Sequence, residues 1–317
     1  MLTLAADTSA GLLHVAPMLA VTDRHHRYLC RLLSRRTVLW SEMVHADAVK
    51  HAGAELLPFS HDGPCVFQLG GSSPSALAAA AAAAEACGYG EVNLNCGCPS
   101  AKVCDKQDAA SCFGARLMLD SGLAGECLRR MAEAVDVPVS VKCRLGVGAS
   151  AGYDDLCSFV ETVVADSGIR HVVVHARAAL LDGGVSTSAN RRVPPLRHDH
   201  VYRLKGDHPS LRITLNGGVE SFEQAASVLH DGNVDSVMLG RAVRKDPWLL
   251  TRVDGELHGD EAAEPRLRAS SIVAAYREYV ESVCAQQPTP LRAARVRLRA
   301  ERALGAPTVE RWVAQHG

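Results

Sequence analysis

The sequence predicts an α/β protein, a (β/α)₈ barrel (TIM barrel) followed by a small C-terminal α-helical domain. Three observations lead to this prediction: eight short apolar runs recur along the chain, helical stretches separate them, and all eight fall within the first three-quarters of the 317 residues. Eight such units over roughly 240 residues fit a closed parallel barrel. An open, doubly wound parallel sheet is the alternative.

The eight apolar runs are rich in β-branched residues, and each is followed by a polar turn. Near-continuous hydrophobic runs of this kind are typical of parallel strands that are covered on both faces. The predicted strands are residues 12–16, 37–44, 65–69, 92–95, 137–143, 171–174, 211–215 and 234–239. Helices with polar or proline starts are predicted at residues 74–86, 123–134, 154–166 and 221–229.

The end of the barrel is predicted near Arg252, which gives a catalytic domain over residues 1–252. Residues 260–265 are acidic and end in proline, as linkers often do. Helical composition resumes at residues 267–283 and 291–303, so we expect a small helical domain over residues 263–317.

The overall composition argues against a membrane-spanning protein, a disulfide-rich secreted protein and a protein that attracts polyanions over its whole surface. Hydrophobic residues make up 47% of the chain and charged residues 22%, and the net charge of −1 provides no overall attraction to polyanions. Any nucleic-acid surface must therefore be local. Eleven scattered cysteines favour a reducing compartment, and neither a membrane span nor a targeting peptide is visible. We expect a monomeric cytoplasmic protein, or an organellar one if the natural chain starts upstream.

Candidate functional residues lie at the carboxyl ends of the predicted strands, where barrels of this type place their active sites. Taken in strand order, they are Pro17 and Met18, Glu42 and Met43, Gln68, Asn95 and Cys98, Lys142 and Arg144, His175 and Arg177, Asn216, Gly217 and Gly218, and Gly240 and Arg241. A single polar strand end is usually a loop hydrogen bond, but eight in phase indicate a site.

The turns after the seventh and eighth strands indicate a phosphate-bearing ligand. Asn216-Gly217-Gly218 and Gly240-Arg241 offer backbone amides without bulky side chains, together with one positive charge. Loops seven and eight are also the usual phosphate site of the fold. An ordinary glycine-rich turn is the alternative for each segment alone.

Three further strand ends suit a planar heterocycle. Gln68 and Lys142 provide an amide and a cation, and a lysine near N1 and C2 of a reduced flavin would stabilise its negative charge. Lys142 is alternatively a Schiff-base lysine or a member of an ion pair. His175 is either a flavin ligand or a core histidine.

The segment Asn95-Cys96-Gly97-Cys98-Pro99-Ser100 would hold the Cys98 thiol at the barrel mouth, as a nucleophile or as a general acid. A metal site is the competing interpretation. However, the spacing of Cys96, Cys98, Cys104 and Cys112 matches no common zinc pattern, so no metal is expected.

Several segments resemble the tRNA-dihydrouridine synthase family over residues 12–250. They are VAPMLAVTDRHHRYLCRLLSR, SEMV, FQLGGSSP, EVNLNCGCPS, FGARLM, VPVSVKCRLG, VVVHAR, NRRVPPL, TLNGGV and MLGRAVRKDPWLL. The order of the NCGCPS, VHAR and NGG motifs is specific to the family. The TDRHHRYLCRLLSR and NRRVPPL segments favour its A-type subfamily.

The resemblance implies that bound FMN, reduced by NADPH, reduces the uracil C5–C6 double bond at positions 20 and 20a of the tRNA D-loop. Hydride would pass from flavin N5 to C6, Cys98 would protonate C5, Asn95 would hold the uracil, and Arg177 would lie on the substrate side. The implied FMN-binding residues are Pro17, Met18, Gln68, Lys142, His175, Asn216, Gly217, Gly218, Gly240 and Arg241.

The last predicted helix carries a candidate tRNA surface. Arg292, Arg295, Arg299 and Arg302 share one face at helical spacing, beside a predicted apolar stripe of Leu291, Ala294 and Leu298. A solvated arginine-rich helix is the alternative interpretation.

Two segments depart from the family pattern. The loop at residues 104–112 is longer than the family's, and the C-terminal helical domain is either complete or shortened. Two other functions therefore stay open: a catalytically silent tRNA-binding protein, and a small-molecule flavin reductase of the dihydroorotate type.

Overall fold

The computed structural model describes residue 8 and residues 11–52, 63–104, 112–181, 185–260, 269–287 and 289–304. Its main feature is a ring of eight parallel strands. The strands are β1 (Leu13–Val15), β2 (Leu39–His45), β3 (Cys65–Gly70), β4 (Glu91–Cys96), β5 (Val139–Arg144), β6 (His171–His175), β7 (Arg212–Asn216) and β8 (Ser236–Leu239).

The ring closes between its first two strands. Seven neighbouring pairs run in parallel, in the order β1-β8-β7-β6-β5-β4-β3-β2. Val15 N donates to Val38 O at 2.9 Å and Val38 N to Leu13 O at 3.0 Å, which joins β1 to the start of β2. The prediction of a (β/α)₈ barrel is therefore confirmed, and the alternative of an open sheet is wrong.

Helices connect the strands, and four of them begin at a capping residue that the sequence supplies. Ser73 caps α3, whose first residue is Pro74, and Asp23, Asp120 and Ser221 each accept backbone N–H groups at the start of a helix. The helices of the barrel are α1 (Arg24–Leu33), α2 (Ala46–Ala52), α3 (Pro74–Ala86), α4 (Ala101–Cys104), α5 (Ser121–Ala132), α6 (Tyr153–Ser167), α7 (His198–Asp207), α8 (Phe222–His230) and α9 (Arg241–Lys245).

The barrel has an outer and an inner core because side chains alternate along each strand. The outer core packs residues such as Leu94, Val141 and Leu215 against the helices. The inner apolar cluster is small and consists of Ala16, Val38, Trp40, Val66, Val173 and Met238. Much of the remaining barrel interior is polar, and it contains the candidate site.

The C-terminal helices α10 (Ala269–Ala285) and α11 (Pro290–Leu304) pack on α1. The ring of Tyr279 stacks on that of Tyr28 with 3.8 Å between centroids, and its hydroxyl lies 3.2 Å from His25 Nδ1. Helical structure after the barrel agrees with expectation, whereas the division into two domains stays a prediction. Among the described helices, none is long and apolar enough to cross a membrane.

The apolar stripe predicted on α11 is wrong. Leu291 and Leu298 are 65% and 50% exposed, whereas α11 packs through the buried Ala300 and the half-buried Ala293 and Val296. Small side chains allow the close approach: Cys284 Sγ of α10 lies 3.5 Å from Ala293 O. The leucines therefore lie on the solvent side, with the arginines.

Candidate active site at the barrel mouth

Several of the predicted polar residues lie in the strands themselves, near their carboxyl ends, and the others lie in the turns that follow. Asn95, His175 and Asn216 are the last or penultimate residues of β4, β6 and β7. Lys142 is two residues from the end of β5, and Gln68 lies within β3. The predicted strands two to seven each end one residue before the observed strands. Strand register pairs Asn95 with Lys142 and His175 with Asn216, so the carboxyl ends of β4 to β7 form one continuous surface.

The loop that carries Cys98 is held from both sides. Asn95 Oδ1 accepts from Gly97 N at 3.1 Å and from Cys98 N at 2.9 Å. The Cys98 carbonyl accepts from Ala115 N at 2.9 Å, in the turn that follows Phe113. Cys98 itself is half-buried. The backbone of Cys98 is therefore held at the mouth, and its side chain is not fully buried, as a proton donor to a ligand requires. Residues 105–111 of the loop that we expected to be longer lie outside the described residues.

Cys96 is separated from this chemistry. It is fully buried, and burial followed by the neighbouring thiols Cys143 and Cys127 raises its pKa well above the usual value. It is a protonated core thiol.

Lys142 is the central cation of the mouth. Its ammonium group donates to Asn216 Oδ1 at 2.9 Å, and Asn216 Nδ2 donates to Met238 O at 2.9 Å. Burial, together with the charge of Arg144, lowers the pKa of Lys142 to about 8. One hydrogen bond leaves two N–H groups of the ammonium for a ligand.

His175 lies beside Lys142 and is neutral. Burial is the main reason that its pKa falls well below the usual value, followed by the charges of Arg144, Lys142 and Arg177. Its ring packs over Gly217: a Cβ there would lie 2.5 Å from His175 Cδ2. A neutral histidine in this position can donate or accept a hydrogen bond at the mouth.

Two glycines form the turn after β7. Gly217 and Gly218 have φ of +98° and +76°, and a Cβ on Gly218 would lie 2.2 Å from Leu196 Cδ2. Both the left-handed backbone and the lack of space therefore require glycine. This turn adjoins the end of β8, because Asn216 pairs with Met238.

The start of α9 and the end of β1 complete the ring. A Cβ on Gly240 would lie 3.4 Å from Ala16 Cβ and 3.6 Å from Met18 Sδ, which places Met18 beside Gly240. Pro17 and Met18 are half-buried, whereas Arg241 is exposed and lies 3.5 Å from Glu220. Arg177, on the turn after β6, donates to Pro194 O.

Arg144 is a residue of this site to which sequence reasoning gave no role. Its guanidinium is buried and donates to Gly97 O at 2.9 Å, Ala178 O at 2.9 Å and Asn190 O at 3.0 Å. It therefore ties the Cys98 loop to the loop after β6. The sequence did contain a signal for this role, because Arg144 lies two positions after Lys142 and therefore on the same face of β5.

Potential metal ligands are also grouped in the described part of the chain, but not among the four cysteines considered above. The one group there whose donor atoms all lie within 4.8 Å of one another is Cys157, Glu161 and His208, on the outside of the barrel.

Comparison with known proteins gives the family. The model of the family described as Dihydrouridine synthase (Dus) matches residues 14–307. The chain belongs to the dihydrouridine synthase family. It is 42% identical over 280 residues to the tRNA-dihydrouridine(20/20a) synthase of Escherichia coli (strain K12), covering 87% of this chain and 78% of that protein. A synthase of the same name from Xanthomonas axonopodis pv. citri (strain 306) is 46% identical over 276 residues, with coverage of 86% and 79%.

Solved structures agree on the fold of this family member. A 2-naphthoyl-CoA reductase complex aligns with a TM-score of 0.54 at 13% identity, over 76% of this chain and 49% of that one. Histamine dehydrogenase from Rhizobium sp. 4-9 aligns with a TM-score of 0.53 at 11% identity, over 76% and 45%. At such identities the likeness supports the barrel alone.

The arginines predicted for RNA binding lie on α11, outside the barrel. Arg292, Arg295 and Arg299 are exposed, and at 100° per residue they span about 60° of the helix surface, beside the face that packs through Ala293, Val296 and Ala300. The side chain of Arg302 lies outside the described residues. Arg297, by contrast, is paired with Glu281 at 2.8 Å.

Proposed function

We propose that the chain is a tRNA-dihydrouridine synthase that reduces the C5–C6 double bond of uracil at positions 20 and 20a of the D-loop, with FMN as its cofactor and NADPH as the reductant. The observation that carries the proposal is the placement of Asn95 and Cys98 beside Lys142, at the same end of the barrel as the glycine turns. The names of the relatives support tRNA as the substrate.

The residues at the mouth fit FMN. Gly217, Gly218 and Gly240 have no side chains to block their backbone amides, which would bind the phosphate, and Arg241 would add a charge beside them. Lys142 would face the ring system, with Pro17, Met18, Gln68, His175 and Asn216 around it. When bound, FMN supplies hydride chemistry to a carbon–carbon double bond.

The chain's own residues would hold the base and complete the proton transfer. Asn95 would hold the uracil, and Arg177 would lie on its outer side. Hydride addition at C6 leaves enolate character at C5, so a thiol proton from Cys98 completes the reduction. Extruding the base costs a few kcal/mol, and contacts of Arg292, Arg295 and Arg299 in the helical region at 263–317 would offset it.

Replacement of the proposed proton donor tests the function directly. In Cys98→Ala, dihydrouridine formed in unmodified tRNA per minute should fall by about 10² to 10⁴, the range for loss of a general acid, while the flavin absorbance per protein stays unchanged. Products are measured by mass spectrometry of digested tRNA. Cys87→Ala is the matched control, because Cys87 is another half-buried thiol that caps α3.

The wild-type protein distinguishes the competing functions. Reduction of free pyrimidines without RNA would favour the small-molecule reductase. Colourless protein that binds tRNA would favour the silent binding protein. Full activity of Cys98→Ala would show that Cys98 is not the proton donor.

A further inference from the structure

A chain of side-chain hydrogen bonds runs from Asn95 to the floor of the barrel, which is the end where the strands begin and where Glu91 lies. Asn95 Nδ2 donates to Gln68 Oε1 at 2.9 Å, and Gln68 Nε2 donates to Asn93 Oδ1 at 2.9 Å. Asn93 Nδ2 donates to Ser140 Oγ at 2.8 Å, and Ser140 Oγ donates to Glu91 Oε1 at 2.5 Å. All five residues are buried, and Asn95 is the most exposed at 8%.

Glu91 sets the direction of this chain. Burial opposes its ionisation, but His171, Ser140 and Thr8 outweigh burial and lower its pKa to about 2. An ionised carboxylate only accepts hydrogen bonds, so Ser140 must donate to it. Ser140 Oγ then accepts from Asn93 Nδ2, Asn93 Oδ1 must accept from Gln68, and Gln68 Oε1 must accept from Asn95.

The orientation of Asn95, at the other end of this row of hydrogen bonds, is fixed as well. Asn95 Oδ1 accepts from the backbone N–H groups of Gly97 and Cys98, which uses both of its lone pairs. One N–H of Asn95 Nδ2 is used by Gln68. The amide of Asn95 therefore has a single N–H left for a ligand.

We propose that Gln68, Asn93 and Ser140 are positioning residues that hold Asn95 as a hydrogen-bond donor toward its ligand. The site then recognises a carbonyl oxygen of a planar ring and disfavours a ring that presents an N–H or amino group there. Applied to uracil, which rests on the proposed function, this favours a base with two carbonyls over cytosine, where an amino group replaces one of them. Gln68 acts on the substrate through Asn95.

A double-mutant cycle tests whether these residues act through Asn95. Ser140→Ala should lower kcat/KM for unmodified tRNA about tenfold and Asn95→Ala about 100-fold. The double variant should be no worse than Asn95→Ala alone, because the same interaction is removed twice. An additive loss of about 1,000-fold would overturn the proposal.

Two further variants separate positioning from a general loss of packing. Thr214→Val removes a hydroxyl 2.8 Å from His171 Nε2, on the branch of the network that does not lead to Asn95, and should change kcat/KM less than twofold. Glu91→Gln retains an oxygen acceptor for Ser140, so it should keep most of the activity. A loss in Thr214→Val equal to that in Ser140→Ala contradicts the proposal.

Hydrogen exchange gives a readout that requires no activity. Ser140→Ala should speed exchange of the Cys98 amide about tenfold, because Asn95 Oδ1 is no longer held against it, while Thr214→Val leaves it unchanged. Asn93→Leu provides a second break in the chain if Ser140→Ala does not fold. Wild-type protein that makes no dihydrouridine would refute the proposed function, whereas unchanged exchange in both chain variants would refute the positioning proposal.

Discussion

The floor and the mouth of the barrel both bury charged side chains, but they treat them differently. At the floor, Glu91 receives hydrogen bonds from Thr8, Ser140 and His171, and its pKa is held at about 2. At the mouth, burial lowers the pKa of Lys142 to about 8, and Arg144 is a second buried cation beside it. At the floor, hydrogen bonds favour the charged form of Glu91. At the mouth, burial disfavours the charged forms of Lys142 and Arg144.

This difference predicts that Glu91 matters mainly for folding, whereas Lys142 and Arg144 matter mainly for ligand binding. Removing one partner of a satisfied buried charge strongly destabilises a fold. Buried groups with strongly perturbed pKa values, by contrast, cluster at functional sites. Cations at the mouth therefore match the anionic flavin and phosphate that we propose. The floor should be sensitive in folding experiments and the mouth in binding experiments.

The largest expected effect is at the floor. Glu91→Met leaves Ser140, His171 and Thr8 without their acceptor and should lower the free energy of unfolding by about 3–5 kcal/mol at pH 7 in urea titrations. The folded-state pKa of Glu91 is depressed, so its contribution is present above the unfolded value near 4.5 and is lost as pH falls toward 2. A difference between wild type and variant that persists at pH 2 would contradict this account.

A smaller effect of opposite sign is expected at the mouth. Lys142→Met should raise the free energy of unfolding of the cofactor-free protein by about 1 kcal/mol at pH 7 and weaken FMN binding at least tenfold. Because the folded-state pKa is lowered to about 8, the cost of burying the charge is full below pH 8 and disappears as pH rises toward 10.5. A destabilised variant would show that the Asn216 hydrogen bond outweighs desolvation.

The smallest effect on folding is expected on α11, where the cations are exposed. Replacing Arg292, Arg295 and Arg299 by alanine should leave the urea midpoint unchanged and weaken tRNA binding about tenfold at low salt. Loss of up to three phosphate contacts should reduce the slope of log K against log salt by about 2. Arg297→Ala is the control, since Glu281 already compensates its charge. Equal tRNA affinity in the triple variant and wild type would place the RNA surface elsewhere.

Local patterns in the sequence predicted much of this architecture. The helix at residues 74–86 is found with the same bounds, because Ser73 and Pro74 mark its start and an alanine run continues it. The strand cores were also found, since continuous apolar runs leave few alternatives. Glycine turns after β7 and β8 and the Asn95–Cys98 segment were identified from their residue types and from family resemblance.

Only the tertiary structure revealed how these residues depend on one another. Glu91, Asn93 and Asn95 alternate along β4, so strand periodicity places them on one face. The four hydrogen bonds that connect Glu91 to Asn95 also pass through Gln68 of β3 and Ser140 of β5, and no spacing along the chain encodes those two links. The packing face of α11 was also mispredicted, because the leucines that periodicity favoured face solvent while small alanines allow close packing. Periodicity registers which residues are apolar, whereas burial and hydrogen-bond direction depend on partners brought together by closure of the barrel.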